Sequence, residues 1–355
     1  MIRIAASTCL SLLSATAAWA AAPGDDVATD AAIAERMRAA QTASGGWPKH
    51  LDGRAIVYDA PFDGGMQAAL EAPDRRDDAT IDNHATTREI RHLAATWQAT
   101  AQPADRDAAL RGVDYLLGAQ YANGGWPQFH PDRSGYRAQI TFNDDAMTHV
   151  VDLLQDIADG EGALATLTTD RGAQAAAAVE RALALILDLQ VRIDGTPTIW
   201  AAQYDQDSLQ PATARSYELA SLASAESVSI VRLLLRQPSP SPRLIAAVDA
   251  AEVWFRAHGL ADLAFERSRR GDAAGAHLLA RPGATLWARF YDLQRQQPLL
   301  VDRSGDIVAT LDALSQERRD GYAWYGIWPQ RLLDDDLPKW RVRHGLPSPT
   351  LHAVP

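Results

Sequence analysis

Gly124-Gly125-Trp126-Pro127 repeats Gly45-Gly46-Trp47-Pro48, and this pair of turns decides the fold. A looser relative, Gly326-Ile327-Trp328-Pro329, follows near the C-terminus. Between them, apolar residues recur at spacings of three and four over Asp105 to Gln120, Asp145 to Ala158, Ala173 to Gln190, Ser224 to Arg236, Pro242 to His258 and Thr285 to Gln294. That period predicts helices, and alternating strand patterns are scarce. A turn that recurs after helical hairpins predicts an all-α fold, an α/α toroid or partial α/α barrel with long irregular loops and few short strands. In such a ring alternate loops gather on one face. Each Gly-Gly-Trp-Pro turn then has two readings, a tryptophan plugging the core or a rim residue of a shared groove.

Composition narrows the setting. Met1-Ile2-Arg3, an apolar run through Leu10, Leu12 and Leu13, and Ala18-Trp19-Ala20-Ala21-Ala22 match a secretory leader over residues 1–21. A periplasmic or secreted location is expected, with residues 22–355 as one catalytic unit that carries at most a small N-terminal helical subdomain. No later segment approaches the roughly 20 apolar residues of a membrane span. The single cysteine, Cys9, lies in the leader, so the mature chain has no thiol for disulfides or zinc. A formal charge of −11 argues against nucleic acid or an anionic membrane as partner. An acidic ligand would need a local cationic groove or a bridging metal. A monomer is expected.

Three polar concentrations interrupt the apolar pattern: Thr80-Ile81-Asp82-Asn83-His84, Ile140-Thr141-Phe142-Asn143-Asp144-Asp145 and Ala214-Arg215-Ser216-Tyr217-Glu218. Asp82, Asn83, Asn143, Asp144 and Asp145 offer hard oxygen donors suited to calcium or magnesium. Taken singly, Asp82 and Asp144 are equally read as helix caps. Arg215 is three residues from Glu218, an ion-pair spacing. Arg289, Arg303, Arg318 and Arg319 supply planar donors for carboxylates. Tyr322, Trp324, Tyr325 and Trp328 form an aromatic cluster suited to sugar rings or to the core.

In this order, and together with Ala202-Gln203-Tyr204-Asp205, Leu286-Trp287-Ala288-Arg289-Phe290-Tyr291 and Glu317-Arg318-Arg319-Asp320-Gly321-Tyr322, these segments closely resemble pectate lyases of polysaccharide lyase family ten. The resemblance covers nearly the whole mature chain. It implies calcium-assisted β-elimination of de-esterified homogalacturonan, with polygalacturonate or oligogalacturonides as partner and Ca2+ as cofactor. It also implies Arg215 as base, Asp82 and Asp144 as metal-facing carboxylates, and Arg289 and Arg303 as substrate-carboxylate binders. Asn83, Asn143, Trp47 and Lys49 would line the cleft. The chain departs from the family pattern at three places: His84 stands where glycine is usual, Tyr204 where histidine is common, and Ser304 where aspartate is usual. Two alternatives compete with the lyase reading: a pectin-binding protein that has lost turnover, and an α/α-toroid uronate hydrolase, whose mark would be two opposed carboxylates.

Overall fold

The computed structural model describes residues 23–267 and 275–349. The expected leader lies outside the described residues, as do most of the surface turn expected over Arg267 to Ala276 and the last six residues. Helices dominate: α1 (Pro23–Ala40), α2 (Gly64–Glu71), α3 (Thr87–Thr100), α4 (Pro103–Ala119), α5 (Ala146–Asp159), α6 (Ala165–Asp188), α7 (Ser224–Leu235), α8 (Pro242–Ala257), α9 (Gln316–Gly321), α10 (Trp328–Arg331) and α11 (Leu337–His344). Among the described residues no helix is long and apolar enough to cross a membrane.

The helices stand in two layers. α1, α4, α6 and α8 pack in succession as an outer layer, while α3, α5, α7 and α10 follow one another inside it. This is the partial α/α toroid that the recurring turns predict. The layers differ in sequence as burial demands. On outer α4 a single stripe of Ala108, Ala109, Gly112, Val113, Leu116 and Ala119 is buried. Inner α7 buries most of its length, including Val228, Ile230, Val231, Leu233 and Leu234. A helix covered on both sides must be apolar nearly all round.

One device repeats four times. The indole N–H of Trp47, Trp126, Trp200 and Trp287 donates to the carbonyl of Met37, Leu116, Ile186 and Phe255, at 2.6 to 2.8 Å. Each ring thereby caps the preceding outer helix inside the core. A glutamine clamp accompanies three of them. Gln41, Gln120 and Gln190 each donate from Nε2 to a carbonyl of their own turn and to one of the next outer helix, Ala108, Ala178 or Ala247. Gly45 and Gly124 have φ of +96° and +100°, and a Cβ at either would collide with the Arg111 or Arg181 carbonyl of the neighbouring helix. The turn is therefore a packing joint. Trp47 is fully buried, which corrects its expected place along the cleft. Truncating Trp126 to alanine is expected to cost about 3 to 5 kcal/mol in urea titration. A loss under about 1 kcal/mol would show that the joint is not what holds the layers.

Two other expectations fail locally. Thr285 to Gln294 is not helical: it contributes to a strand at His277–Ala288 and a short one at Phe290–Tyr291. The long strand lies between Leu260–Glu266 and Tyr325–Gly326, so cross-strand partners take the hydrogen bonds a helix would have used. A short apolar run does not discriminate the two periods. α6 begins at Ala165, upstream of the Ala173 start, because a short turn at Gly162–Leu164 leads straight into it.

Candidate functional site

The inner helices begin on one face, and two of them begin in the same strained way. Before α3, Ile81, Asn83 and His84 have φ of −101°, +50° and +62°; before α5, Phe142, Asp144 and Asp145 have −100°, +51° and +62°. Asn and Asp tolerate the left-handed region better than other side-chain-bearing residues, and such turns persist where surrounding structure holds them. Short strand pairs provide that hold: Ile140–Thr141 pairs with Gln203–Tyr204, and Leu222–Ala223, before α7, pairs with Phe290–Tyr291. The left-handed φ of +62° at His84 is one that glycine would adopt with less strain.

A cavity of about 410 Å³ opens between these helix starts, lined among others by Asn83, His84, Asp144, Glu226, Arg289 and Trp328. Arg289 is its central cation. Nη2 lies 2.7 Å from Asp144 Oδ1, and Nε lies 3.0 Å from Glu226 Oε1. The guanidinium also sits over the Tyr322 and Phe290 rings, at 5.0 and 5.4 Å. Burial pulls its pKa down, but Glu226, Tyr322 and Asp144 outweigh burial and leave it well above the ordinary value. Burial, and then the nearby Glu226 charge, push the Asp145 carboxyl up to about 7.

Asp82 is buried beneath this face and ion-paired to Lys49. Asn143 faces a smaller adjoining cavity with Tyr217, Glu218 and Arg318. Arg215 stands on the same loop as Tyr217 and grips Glu218 with two bonds, Nε to Oε2 at 2.8 Å and Nη2 to Oε1 at 2.5 Å. The hydrogen bonds to Glu218 raise its pKa above the ordinary arginine value, against an opposing effect of burial. Arg303 and Arg318 join it around one ring, with guanidinium carbons 4.4 and 5.0 Å from the Tyr217 centroid against 5.2 Å for Arg215. Arg303 is exposed and paired with Glu317.

Asn83, Asp144 and Arg289 thus share one cavity, Asn143 links it to the Arg215 loop, and Asp82 with Lys49 lies below. Of the departures, the His84 ring lies tilted by 30° against the His149 ring with centroids 3.9 Å apart and forms part of the cavity wall. Tyr204 is a core residue, its hydroxyl donating to Leu189 O and accepting from Ala201 N. Ser304 donates to Asp306 in an exposed turn. Two wall residues, Glu226 and His149, have no counterpart among the candidates read from sequence. Glu226 left one usable trace, a carboxylate two residues into an apolar helix.

Among the described residues no cluster of three His, Cys, Asp or Glu side chains is preassembled around a metal position. The donor chemistry nevertheless suits a hard cation. Asp82 Oδ1, Asp145 Oδ1 and Glu226 Oε2 are buried oxygens without a hydrogen-bond partner, and Asp144 and Asn83 add exposed ones. Lys49 and Arg289 neutralise Asp82 and Asp144 meanwhile.

Comparison with known proteins gives this arrangement its context. Two solved structures of the family 10 polysaccharide lyase from Cellvibrio cellulosa are similar along most of their length. One, an aspartate-to-alanine mutant in complex with trigalacturonic acid, is 29% identical with a TM-score of 0.77, covering 88% of this chain and 96% of that one. The other is 28% identical with a TM-score of 0.75, covering 88% and 95%. No curated protein matches the chain. The pectic acid lyase model matches residues 41–333, from the first tryptophan turn through α10 and every cavity wall named above, and the chain therefore belongs to the pectic acid lyase family.

Proposed function

We propose that this pectate lyase is exported and cleaves de-esterified homogalacturonan by calcium-assisted β-elimination, releasing unsaturated oligogalacturonides, with Arg215 as the base. The observation that carries the reading is the cavity in which Arg289 faces Asp144 and Glu226, joined through Asn143 to the Arg215 loop. The leader pattern at residues 1–21 supports export.

Elimination needs the uronate carboxylate neutralised, so that charge developing at C5 after proton loss is stabilised, and it needs a base at that proton. A bound calcium, held by Asp82 and Asp144 with Asn83 nearby, would supply part of that neutralisation. Arg289 supplies another part: its guanidinium can exchange Asp144 for a substrate carboxylate while Glu226 keeps it in position. Arg303 offers an exposed fork for a second carboxylate along the chain. Asn143 and Lys49 complete the polar floor.

Arg215 must lose both Glu218 and a proton before it can act. Its pKa lies above the ordinary arginine value, so the neutral fraction grows with pH across the whole accessible range. The rate is accordingly expected to climb through the alkaline region, by about tenfold per pH unit where deprotonation alone limits it. Initial rates on polygalacturonate, with calcium and with a chelator across a pH series, test the assignment. An acidic optimum would remove Arg215 from the role of base, and a rate indifferent to chelator would remove calcium.

A further inference from the structure

The central cavity continues sideways. Arg232 on α7 lines both it and a neighbouring cavity of about 470 Å³ between α7, α10 and α11. Arg232, Arg236, Arg331, Lys339 and Arg343 line this second cavity, and Asp336 is the one carboxylate among its lining residues. In a chain of net charge −11 this is a local reversal of sign.

Ion pairs answer four of the five cations, two of them at a strongly exposed rim, and leave Arg343 unanswered among the described residues. Asp336 serves two guanidiniums, Arg232 at 2.8 Å and Arg331 at a loose 3.6 Å. Lys339 holds Asp335 at 2.6 Å, and Arg236 is engaged on its far side by Asp152 and Asp156. Arg343 is exposed and has no ion-pair partner among the described residues. Arg331 and Lys339 keep 77% and 70% of their side chains exposed. Exposed pairs of this kind add little to stability, so their clustering is not accounted for by the fold. Trp340, in the same wall, has a buried indole N–H with no acceptor. Guanidinium and ammonium groups around an open cavity suit a carboxylate polymer better than a single small anion, because each is a separate, solvent-reached contact.

We propose that this cavity is a secondary binding site for the polyuronate chain, joined to the cleft through Arg232, where it holds carboxylates remote from the bond being broken. The inference rests on the lyase reading, and it adds a site outside the reacting centre. Polymer engages both cavities; a trimer confined to the cleft does not, and the gain is an effective-concentration effect.

The test is the triple variant Arg331→Gln, Lys339→Gln, Arg343→Gln, made in full-length mature protein. All three side chains are exposed, and circular dichroism checks that the variant folds. The KM for polygalacturonate is expected to rise about tenfold with kcat unchanged, while both constants for trigalacturonate stay as in the parent. The parent's preference for polymer should also fade with added salt, and the variant's residual preference should respond less. The charge-keeping pair Arg331→Lys, Arg343→Lys should retain the parent KM. An unchanged polymer KM, or equal changes for polymer and trimer, would overturn the proposal. Affinity electrophoresis in polygalacturonate gels, on an Arg215→Ala background, reads the second site without turnover. Weaker retardation of the triple variant supports it and equal retardation overturns it, even if no unsaturated product ever forms and the lyase reading falls.

Discussion

Arg215→Ala is expected to fold like the parent and to lose elimination by about two to four orders of magnitude. The two halves of that result have separate causes. Half of the Arg215 side chain is exposed, and its partner Glu218 lies on the same turn, so the pair resembles the surface ion pairs whose removal costs about 0 to 1 kcal/mol. The catalytic loss is large because a base at C5 has no substitute nearby: Arg303 is tied to Glu317, and Arg318 is buried against carbonyls of Val301 and Tyr217. Thermal melts and initial rates, measured on one preparation, separate the two. A variant with near-parental turnover would show that Arg215 only holds Glu218 in place. Glu218→Gln is the complementary probe. It removes the negative charge and one of the two acceptor oxygens that hold the Arg215 pKa up, so its pH profile should move toward lower pH.

Arg289→Ala is expected to fail in both stability and turnover. The Arg289 side chain is 11% exposed and that of Glu226 2%, and removing one partner of such a pair leaves a buried charge unanswered, typically at about 3 to 5 kcal/mol. Asp145, already driven up to about 7 by burial and by Glu226, would also lose the neighbouring guanidinium that opposes that rise. Turnover should fall by about 10²- to 10³-fold through loss of charge stabilisation. A second substitution separates the roles. Arg289→Ala with Glu226→Gln removes the orphaned charge and should recover much of the stability in urea titration while leaving turnover low. Joint recovery of turnover would reduce Arg289 to a structural ion pair.

What the sequence disclosed and concealed follows from the range of each interaction. The tryptophan turn is local, so its two copies at Trp47 and Trp126 were visible and predicted the ring. Its third and fourth copies lack the Gly-Gly pair, at Thr198-Ile199-Trp200 and Thr285-Leu286-Trp287, and became recognisable only through their bonds to Ile186 and Phe255. The Asp82-Asn83 and Asn143-Asp144 segments stood out because polar residues crowd a helix start, and the structure puts both turns on one face. Trp47 carried two readings that only burial could separate. Glu226 and His149 were concealed because each sits in an apolar helix without a local signature. Arg289 meets Glu226 across 63 residues and Asp144 across 145, distances over which no spacing rule operates. Thr285 to Gln294 failed as a helix for the same reason, since its partners lie on strands remote in sequence.

Whether the glycosidic bond breaks by elimination is tested most directly by ultraviolet absorbance. Mature protein is mixed with polygalacturonate and calcium at alkaline pH, while reducing ends are counted in parallel. Elimination predicts that absorbance of the unsaturated uronate rises in step with reducing ends. New reducing ends with a flat absorbance trace would mean that water attacks the bond, which contradicts elimination and leaves Arg215 without a proton to take from C5.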